Sequence, residues 1–352
     1  MAIDHQGLIV IGENLNATRK IQGNSSRIVR EGDRRGLGYT DLSGTKRVLD
    51  LTDAFPADPK AHANAMITYV AQCFRNKDLR YLETAVHMQR QAGAHIIDLC
   101  VDEMSPFPEE RREWMNWLVR TVQSMTDTIL SIDSSDPLTI EAGLKAHDTK
   151  RSRPFINSVN LEDGRNVLHA MAKEYDAYLA GNASGNAGMP YSAEERVQNL
   201  TELSAEMDKH GIPVEDRFLD GLVFPVGAGP DWGRHYLDAI EQLRELFPDV
   251  HLFGGHSNAS FGLPNRKVLN DAFLILSILA GCDTIMVDPL MNPPVEYVEF
   301  KVAADAMTGT DQYSLKYLAY HRRKMGHRAP LDADTSPDRQ RDGDVVSATT
   351  GQ

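Results

Sequence analysis

The chain has 352 residues, and its hydrophobic fraction of 41% and charged fraction of 25% are ordinary for a globular protein. Its 37 basic and 50 acidic residues give a formal net charge of −13. An acidic chain without a long basic run is not expected to bind nucleic acid, and no apolar run approaches the length of a membrane span. Since no signal segment precedes the first apolar run, we expect a cytoplasmic protein.

The cysteines of the chain, Cys73, Cys100 and Cys282, are widely spaced. No C-x-x-C pair occurs, which argues against a zinc site built from thiolates. We therefore expect reduced thiols and predict no metal site in this chain.

The first apolar run, residues 8–11, ends at the polar sequence Gly12-Glu13-Asn14. Residues 17–62 follow as a long segment rich in Gly, Ser, Asp and Arg, and its lack of a clear period predicts an irregular insertion. Between residues 19 and 47 this segment has eight Lys or Arg residues against three acidic ones. Two interpretations of this segment are equally favoured. It is either a solvent-exposed loop or a contact surface for a partner protein or a second subunit.

From residue 95 onwards, short apolar runs alternate with helical patterns. Further strands are predicted at 95–99, 129–133, 155–159, 177–180, 217–223, 251–254 and 283–287. Helices are predicted at 64–92, 109–125, from 136, at 163–175, 192–210, 233–247, 266–280 and 294–307. Eight repeats of strand and helix predict an α/β chain folded as one (β/α)₈ TIM barrel over residues 1–310. Residues 311–352 are predicted as a further helix near 315–323 and a polar tail.

Two of the predicted helices begin at recognisable capping sequences. Asp136-Pro137 combines a capping side chain with a residue suited to the first helical position. Ser192-x-x-Glu195 has the spacing of a capping box.

Polar residues follow the predicted strands at the end where such a barrel places its active site. They are Glu13, Asn14, Asn16, Asp98, Asp133, Ser134, Asn157, Asn182, Asp220, Ser257, Asn258 and Asp288. Carboxylates and amides with few cations suit a neutral heterocycle with several N–H donors, because carboxylates accept paired N–H bonds and amides both donate and accept. Any one of these residues could instead cap a helix. Four of these residues follow separate strands, which favours a shared ligand site over separate helix caps: Asp133, Asn157, Asp220 and Asn258.

The ordered motifs at these strand ends resemble those of the pterin-binding barrel proteins. Residues 12–18 (GENLNAT) resemble their opening motif, and residues 93–99 (GAHIIDL) resemble their second strand. The sequences at 131–134, 156–158, 219–220, 255–260 and 265–266 follow in the family's order. Within this superfamily the chain is most similar to the methyltetrahydrofolate:corrinoid-protein methyltransferases and to the folate-binding barrel of cobalamin-dependent methionine synthase.

The resemblance implies a role for each matching residue. It places Asn258 beside N5 of the pterin, with Asp220 and Ser257 completing the catalytic group. The implied pterin-binding residues are Asp133, Asn157, Asp220, Asn258, Asn182, Gly255, Arg266 and Asp98. Among these, Asp220 would hold the N2/N3 edge, Asp98 would act from behind the contacting residues, and Arg266 would orient the Asn258 loop or meet the substrate's carboxylates.

The implied reaction is a methyl transfer between N5 of tetrahydrofolate, or 5-methyltetrahydrofolate, and the cobalt of a corrinoid. The family receives the corrinoid (cobalamin) on a separate protein, and its members pair as homodimers. The alternatives are another pterin-binding enzyme, such as a dihydropteroate synthase relative, and a non-catalytic folate-binding subunit. The synthase is disfavoured because residues 221–225 and 257–260 lack the cations that serve its diphosphate leaving group.

Three features depart from the family pattern. Cys100 stands where close relatives have Asn, the first loop is longer than theirs, and His256 replaces a residue that is usually apolar. His256 could tune the N5 contacts, but a structural role is favoured. Residues 249–254 match the D-x-H-x-x-G pattern of cobalt-ligating domains, but they lead into a predicted strand, so no corrinoid is expected in this chain.

Overall fold

Eight parallel strands form the centre of the molecule. A computed structural model describes Ile3 and residues 7–326, and its contacts divide the chain into two units, residues 1–304 and 305–352. The strands of the first unit are β1 (Ile9–Asn16), β2 (Ile96–Cys100), β3 (Ile129–Asp133), β4 (Phe155–Val159), β5 (Tyr178–Asn182), β6 (Arg217–Asp220), β7 (His251–Phe253) and β8 (Thr284–Val287). They follow each other in chain order from β1 to β7, and β8 pairs with β1. The predicted (β/α)₈ barrel is confirmed.

Helices separate the strands and cover the outside of this sheet. They are α1 (Tyr69–Asn76), α2 (Leu79–Gln91), α3 (Pro108–Met125), α4 (Pro137–Ala146), α5 (Val167–Glu174), α6 (Ala193–Lys209), α7 (Trp232–Leu246), α8 (Arg266–Ala280) and α9 (Pro294–Thr308). The single helix predicted at 64–92 is two helices, because Lys77 adopts a left-handed conformation with φ of 48°. Asp78 then caps α2 by accepting a hydrogen bond from the Tyr81 amide at 3.0 Å.

Both predicted capping sequences are used. Asp136 accepts a hydrogen bond from the Leu138 amide, and Pro137 is the first residue of α4. The Ser192 hydroxyl accepts from the Glu195 amide at the start of α6. The Glu195 carboxylate, however, bonds to the amide of Tyr191 rather than that of Ser192.

One carboxylate joins the two edge strands of the barrel. The Asp283 amide donates to the Leu252 carbonyl at 3.3 Å, and the Leu252 amide donates to Asp283 Oδ1 at 2.9 Å. The Asp283 carbonyl also accepts from the Ile9 amide at 2.8 Å. The seam between β7 and β8 therefore depends on a side chain where the other strand pairs have a backbone ladder.

Large apolar side chains fill the lower half of the barrel. Phe155 and Tyr178 begin β4 and β5, and Phe218 lies near the start of β6. The rings of Phe155 and Phe218 meet edge to face with centroids 4.9 Å apart. These residues are buried and fill the barrel at the N-terminal ends of the strands, so we expect the ligand site at the C-terminal ends.

The insertion between β1 and α1 is ordered, which corrects the prediction of an irregular segment. It contains a three-stranded antiparallel sheet formed by Ile28–Glu31, Arg34–Thr40 and Lys46–Asp50. One buried apolar residue from each strand, Ile28, Leu37 and Leu49, anchors the sheet. So few buried positions, with glycines between them, leave no alternation for sequence analysis to detect.

The second unit contains α10 (Leu315–Gly326), which covers the helix predicted near 315–323. The Asp311 carboxylate accepts hydrogen bonds from the backbone amides of Lys316 and Tyr317, both at 3.0 Å. The contact boundary at 304/305 lies close to the predicted barrel end at 310. Residues 327–352, predicted as a polar tail, lie outside the described residues. No helix in the described part of the chain is long and apolar enough to cross a membrane.

Candidate active site

The predicted polar residues of four neighbouring strands come together at the C-terminal end of the barrel. Asp133 on β3 is the register partner of Asn157 on β4. Asn182 on β5 is likewise the register partner of Asp220 on β6. Two carboxyl–amide pairs therefore lie on adjacent strands, as the sequence pattern indicated.

Asp98 lies beneath this group, fully buried on β2. Its Oδ1 accepts hydrogen bonds from the Ser131 hydroxyl at 2.7 Å and from Asn157 Nδ2 at 3.4 Å. Burial raises the pKa of Asp98 to about 7, although both hydrogen bonds oppose this. Since Asp98 holds the Asn157 amide in place, the structure gives it the supporting position that the resemblance implied.

The pKa of Asp133 lies well above its usual range. Burial is the largest cause, and the nearby carboxyl groups of Asp98 and Asp102 add to it. The thiol of Cys100, which is its register partner on β2, and the charge of Arg165 act in the opposite direction. A raised pKa favours the protonated form of a carboxyl group, which can donate a hydrogen bond as well as accept one.

Asp220 ends β6 with one oxygen engaged. Its Oδ1 accepts from the Leu222 amide at 2.7 Å, while Oδ2 accepts no hydrogen bond from any described residue. Burial raises the pKa of Asp220 to about 7, opposed by the Leu222 amide and the charge of Arg196. Asp220 thus presents an oxygen that can receive an N–H group of a ligand.

Asn182 is held by neighbouring residues at both ends of its amide. Its Nδ2 donates to the Ser158 hydroxyl at 2.7 Å, and its Oδ1 accepts from the Ser184 amide at 3.0 Å. The side chain therefore fastens the ends of β4 and β5 together. Its contact with a ligand stays a prediction.

Asn258 lies in a short 3₁₀ turn, His256–Ser260, directly beyond β7. Its side chain is exposed, and its amide makes no hydrogen bond to the rest of the described chain. The Asn258 Nδ2 lies 3.0 Å from the position that a Cβ at Gly255 would occupy. Gly255 therefore leaves space for an amide that is free to bind a ligand above the four strand ends.

The loop around Asn258 is fixed from two sides. Arg266 Nε donates to the Ser260 hydroxyl at 2.9 Å, and its guanidinium also bonds to the Ser257 carbonyl at 2.7 Å. Arg266 is thus in a position to orient this loop. A contact between Arg266 and the substrate's carboxylates stays a prediction. The Ser257 hydroxyl reaches Glu13 Oε2 at 3.5 Å, and its place in the catalytic group stays a prediction.

An ion network links β1 to the segment after β8. Arg19 pairs with Glu13 at 3.2 Å and with Asp288, and it donates to the Tyr69 hydroxyl at 3.0 Å. Asn14 Nδ2 donates to Asp288 Oδ1 at 3.0 Å. Burial raises the pKa of Glu13 in spite of the opposing charge of Arg19. The network thus places one guanidinium between two carboxylates on this side of the barrel end.

Two buried arginines support the site, and sequence analysis missed both. Arg165 donates to the carbonyls of Ser134 and Ser135, which follow β3, and to the carbonyl of Ser158 within β4. Arg196, on α6, donates to the Gly221 carbonyl at 2.9 Å and so holds the loop after Asp220. Both lie in helical or loop stretches whose sequence gives no sign of burial, so no pattern could have identified them.

His256 is fully buried beside Tyr236, whose hydroxyl lies 3.4 Å from its Nε2. Burial lowers the pKa of His256 to about 3, so the ring is neutral at ordinary pH. These features support the structural role for His256 over a role in tuning the N5 contacts.

The fold and the site define a (β/α)₈ barrel that binds a small polar heterocycle at adjacent strand ends. Residues 71–288 match the model of the pterin binding enzyme family. The chain belongs to this family, as its motifs indicated.

Similar proteins agree with this assignment. A methylcorrinoid:tetrahydrofolate methyltransferase of Eubacterium limosum is 30% identical over 75% of this chain and 95% of its own length. A methionine synthase of Mycobacterium tuberculosis is 29% identical over 56% of this chain, which spans only 17% of that protein. A Yersinia pestis dihydropteroate synthase, solved with a pterin–sulfa conjugate, covers 65% of this chain and 90% of its own with a TM-score of 0.52. At 17% identity it shows the fold alone.

Proposed function

We propose that this protein transfers a methyl group between N5 of tetrahydrofolate and the cobalt of a corrinoid. Its family binds pterins, and its relative from Eubacterium limosum is named for this reaction. The observation that carries the proposal is the exposed side-chain amide of Asn258 in the loop after β7. This amide makes no hydrogen bond within the described chain.

Binding of the pterin follows from the hydrogen-bonding capacity of the strand ends. The open oxygen of Asp220 accepts from the 2-amino group and N3 edge of the ring. The carboxyl group of Asp133 and the amide of Asn157 bind the ring on its other side. Asp98 keeps the Asn157 amide oriented through its 3.4 Å contact.

Methyl transfer requires help for N5, because a tertiary amine is a poor leaving group unless it is protonated or strongly hydrogen-bonded as the C–N bond breaks. The side-chain amide of Asn258 is neutral. It therefore stabilises the positive charge that develops on N5 in the transition state without placing a fixed cation beside it. Arg266 holds the loop through the Ser257 carbonyl, so the amide is oriented before the reaction begins.

We propose that the corrinoid is carried by a separate protein, which presents it to the open end of the barrel. Exposed apolar side chains occur in the loops that follow the strands at this end, including Phe107, Tyr191 and Phe261 with exposed fractions of 62%, 69% and 66%. Such side chains suit a protein partner. The D-x-H-x-x-G histidine, His251, instead contacts Asp283 at 3.0 Å within the barrel wall. A homodimer in the cytoplasm remains part of this proposal.

Dihydropteroate synthase chemistry is the second candidate, and the site does not favour it. The segments after β6 and β7 that would serve a diphosphate leaving group have no Lys or Arg at 221–225 or 257–260. Arg196 and Arg266, the nearest cations, are engaged with backbone carbonyls and a serine hydroxyl.

The experiment that tests the proposal follows the corrinoid spectrum without oxygen. Purified protein is mixed with N5-methyltetrahydrofolate and cob(I)alamin, and methylcobalamin should form. The Asn258→Ala variant is the matched control for protein-dependent transfer. Tight pterin binding without any transfer, even with a corrinoid protein present, would instead favour a folate-binding subunit. Absence of pterin binding would overturn the function.

A further inference from the structure

A cavity of about 610 Å³ lies beside the candidate active site, in the range of small-molecule pockets. One wall is the inserted sheet, which contributes Tyr39. A second wall is α2, with Tyr81 and Met88, and a third is the segment after β8, with Leu290 and Met291. The cavity therefore exists because of the insertion that sequence analysis had left without a role.

The cavity connects with the Asn258 loop through a chain of contacts. The Ser257 hydroxyl reaches Glu13 at 3.5 Å, and Glu13 pairs with Arg19 at 3.2 Å. Arg19, Asn14 and Asp288 are themselves part of the cavity lining. The cavity and the Asn258 loop are therefore neighbours along the same end of the barrel, joined through Glu13 and Arg19.

The charges of the lining are unequal. Arg19 is neutralised by Glu13 and Asp288, as described above. Lys20 and Arg27, which also line the cavity, are exposed and form no ion pair with any described acidic residue. The outer part of the cavity is therefore suited to an anion.

The inner part offers aromatic and polar groups. The rings of Tyr39 and Tyr81 meet edge to face with centroids 5.0 Å apart. At the wall next to β1, the Asn14 Oδ1 is buried and accepts no hydrogen bond from the described chain. An aromatic ligand that carries an N–H donor would satisfy this acceptor, since buried polar atoms are normally paired.

On the basis of the proposed folate function, we propose that this cavity binds the tail of the folate substrate. The tail is attached at C6 of the pterin, next to N5, so it leaves the ring beside Asn258. Its p-aminobenzoyl group would lie against Tyr39 and Tyr81. Its glutamate carboxylates would reach Lys20 and Arg27, so the protein prefers folates that carry several glutamates.

The test compares binding of tetrahydrofolate with one glutamate and with three glutamates. The wild type should bind the triglutamate about five- to tenfold more tightly at low salt, since exposed ion pairs each contribute modestly. The double variant Lys20→Gln/Arg27→Gln should lose most of this preference. This double variant and the wild type should bind a tail-free tetrahydropterin equally.

A matched control variant comes from the same insertion. Lys46 and Lys60 are also exposed, but they do not line the cavity, so Lys46→Gln/Lys60→Gln should keep the preference. Equal affinity of the wild type for both folates, or an unchanged preference in Lys20→Gln/Arg27→Gln, would overturn the inference. Failure to bind tail-free pterin at all would instead count against the proposed function.

Discussion

The hydroxyl of Ser257 and the carboxylate of Glu13 lie 3.5 Å apart although 244 residues separate them in the chain. Their contact joins the Asn258 loop to β1. We expect Ser257→Ala to loosen this loop and lower the transfer rate by about three- to tenfold, the scale of one modest hydrogen bond. Transfer from N5-methyltetrahydrofolate to cob(I)alamin measures the rate. Ser257→Thr, which keeps the hydroxyl, should retain most of it.

The largest catalytic effect is expected at Asn258. The Asn258→Ala change removes the amide proposed to stabilise N5 in the transition state, so the turnover rate should fall by about 10²–10³-fold. Pterin affinity should change far less, because the strand-end contacts remain. Because Asn258 is exposed, the fold should be unaffected. Equal losses in turnover and in affinity would contradict the transition-state role.

Pterin affinity should depend on pH through Asp220. With a pKa of about 7 in the free protein, Asp220 is mostly protonated at pH 6 and mostly ionised at pH 8. Because the carboxylate form accepts the N–H groups, affinity should rise with pH through 7 and then level off. Asp220→Asn should lower affinity by about 10–100-fold and remove this slope. The matched control is Asp98→Asn, which should keep the pH slope. Asp98 has a similar pKa, but it contacts Asn157 from beneath and does not accept from the ligand.

The stability of the protein should reveal His256. Its pKa is about 3 in the fold against 6.5 for an ordinary histidine, so the unfolded chain takes up a proton more readily. Between pH 7 and pH 5, His256 should therefore lower the free energy of unfolding by about 2 kcal/mol. Asp98 and Asp220 contribute with the opposite sign, so the His256 contribution is the difference between the pH dependence of the wild type and that of His256→Phe. In His256→Phe this contribution should be absent. Urea unfolding at both pH values measures it, and a pH–rate profile that changes in His256→Phe would contradict the structural role.

Arg165 is expected to matter for both stability and binding. Its guanidinium bonds to carbonyls after β3 and within β4, and Arg165→Met would leave these acceptors without their donor. We expect unfolding free energy to fall by about 2–4 kcal/mol, with weaker pterin binding because Asp133 and Asn157 lose their support. Arg165→Lys should recover only part, since one ammonium cannot span the same acceptors. Unchanged urea midpoints would contradict this account.

The barrel and its strand-end residues were predictable from the sequence. They depend on the periodicity of apolar residues and on the order in which strands and helices alternate. Strands such as β3 are short apolar runs ending in a polar residue, and the parallel arrangement then brings Asp133 and Asn157 into register. The number of residues between Asp133 and Asn157 does not predict that they are neighbours. Their proximity follows from the parallel strand order of the barrel. The ligand contact of each residue nevertheless depends on the family resemblance.

The inserted sheet and the buried arginines could not be predicted from local pattern. Each inserted strand buries about one apolar residue, such as Leu37, and Gly36 has no room for a side chain because the Leu49 carbonyl would lie 2.7 Å from its Cβ. Arg196 looks like a surface residue of a helix in the sequence, yet it is fully buried. Its environment comes from the loop after β6, which lies far from it in the chain.

The Asp283 seam has a consequence for how the barrel moves. Opening between β7 and β8 breaks the contacts of Asp283 with His251 and Leu252, whereas opening any other strand pair breaks a backbone ladder. Since the Asn258 loop continues directly from β7, a transient widening at the seam would carry this amide away from Asp133 on the opposite wall.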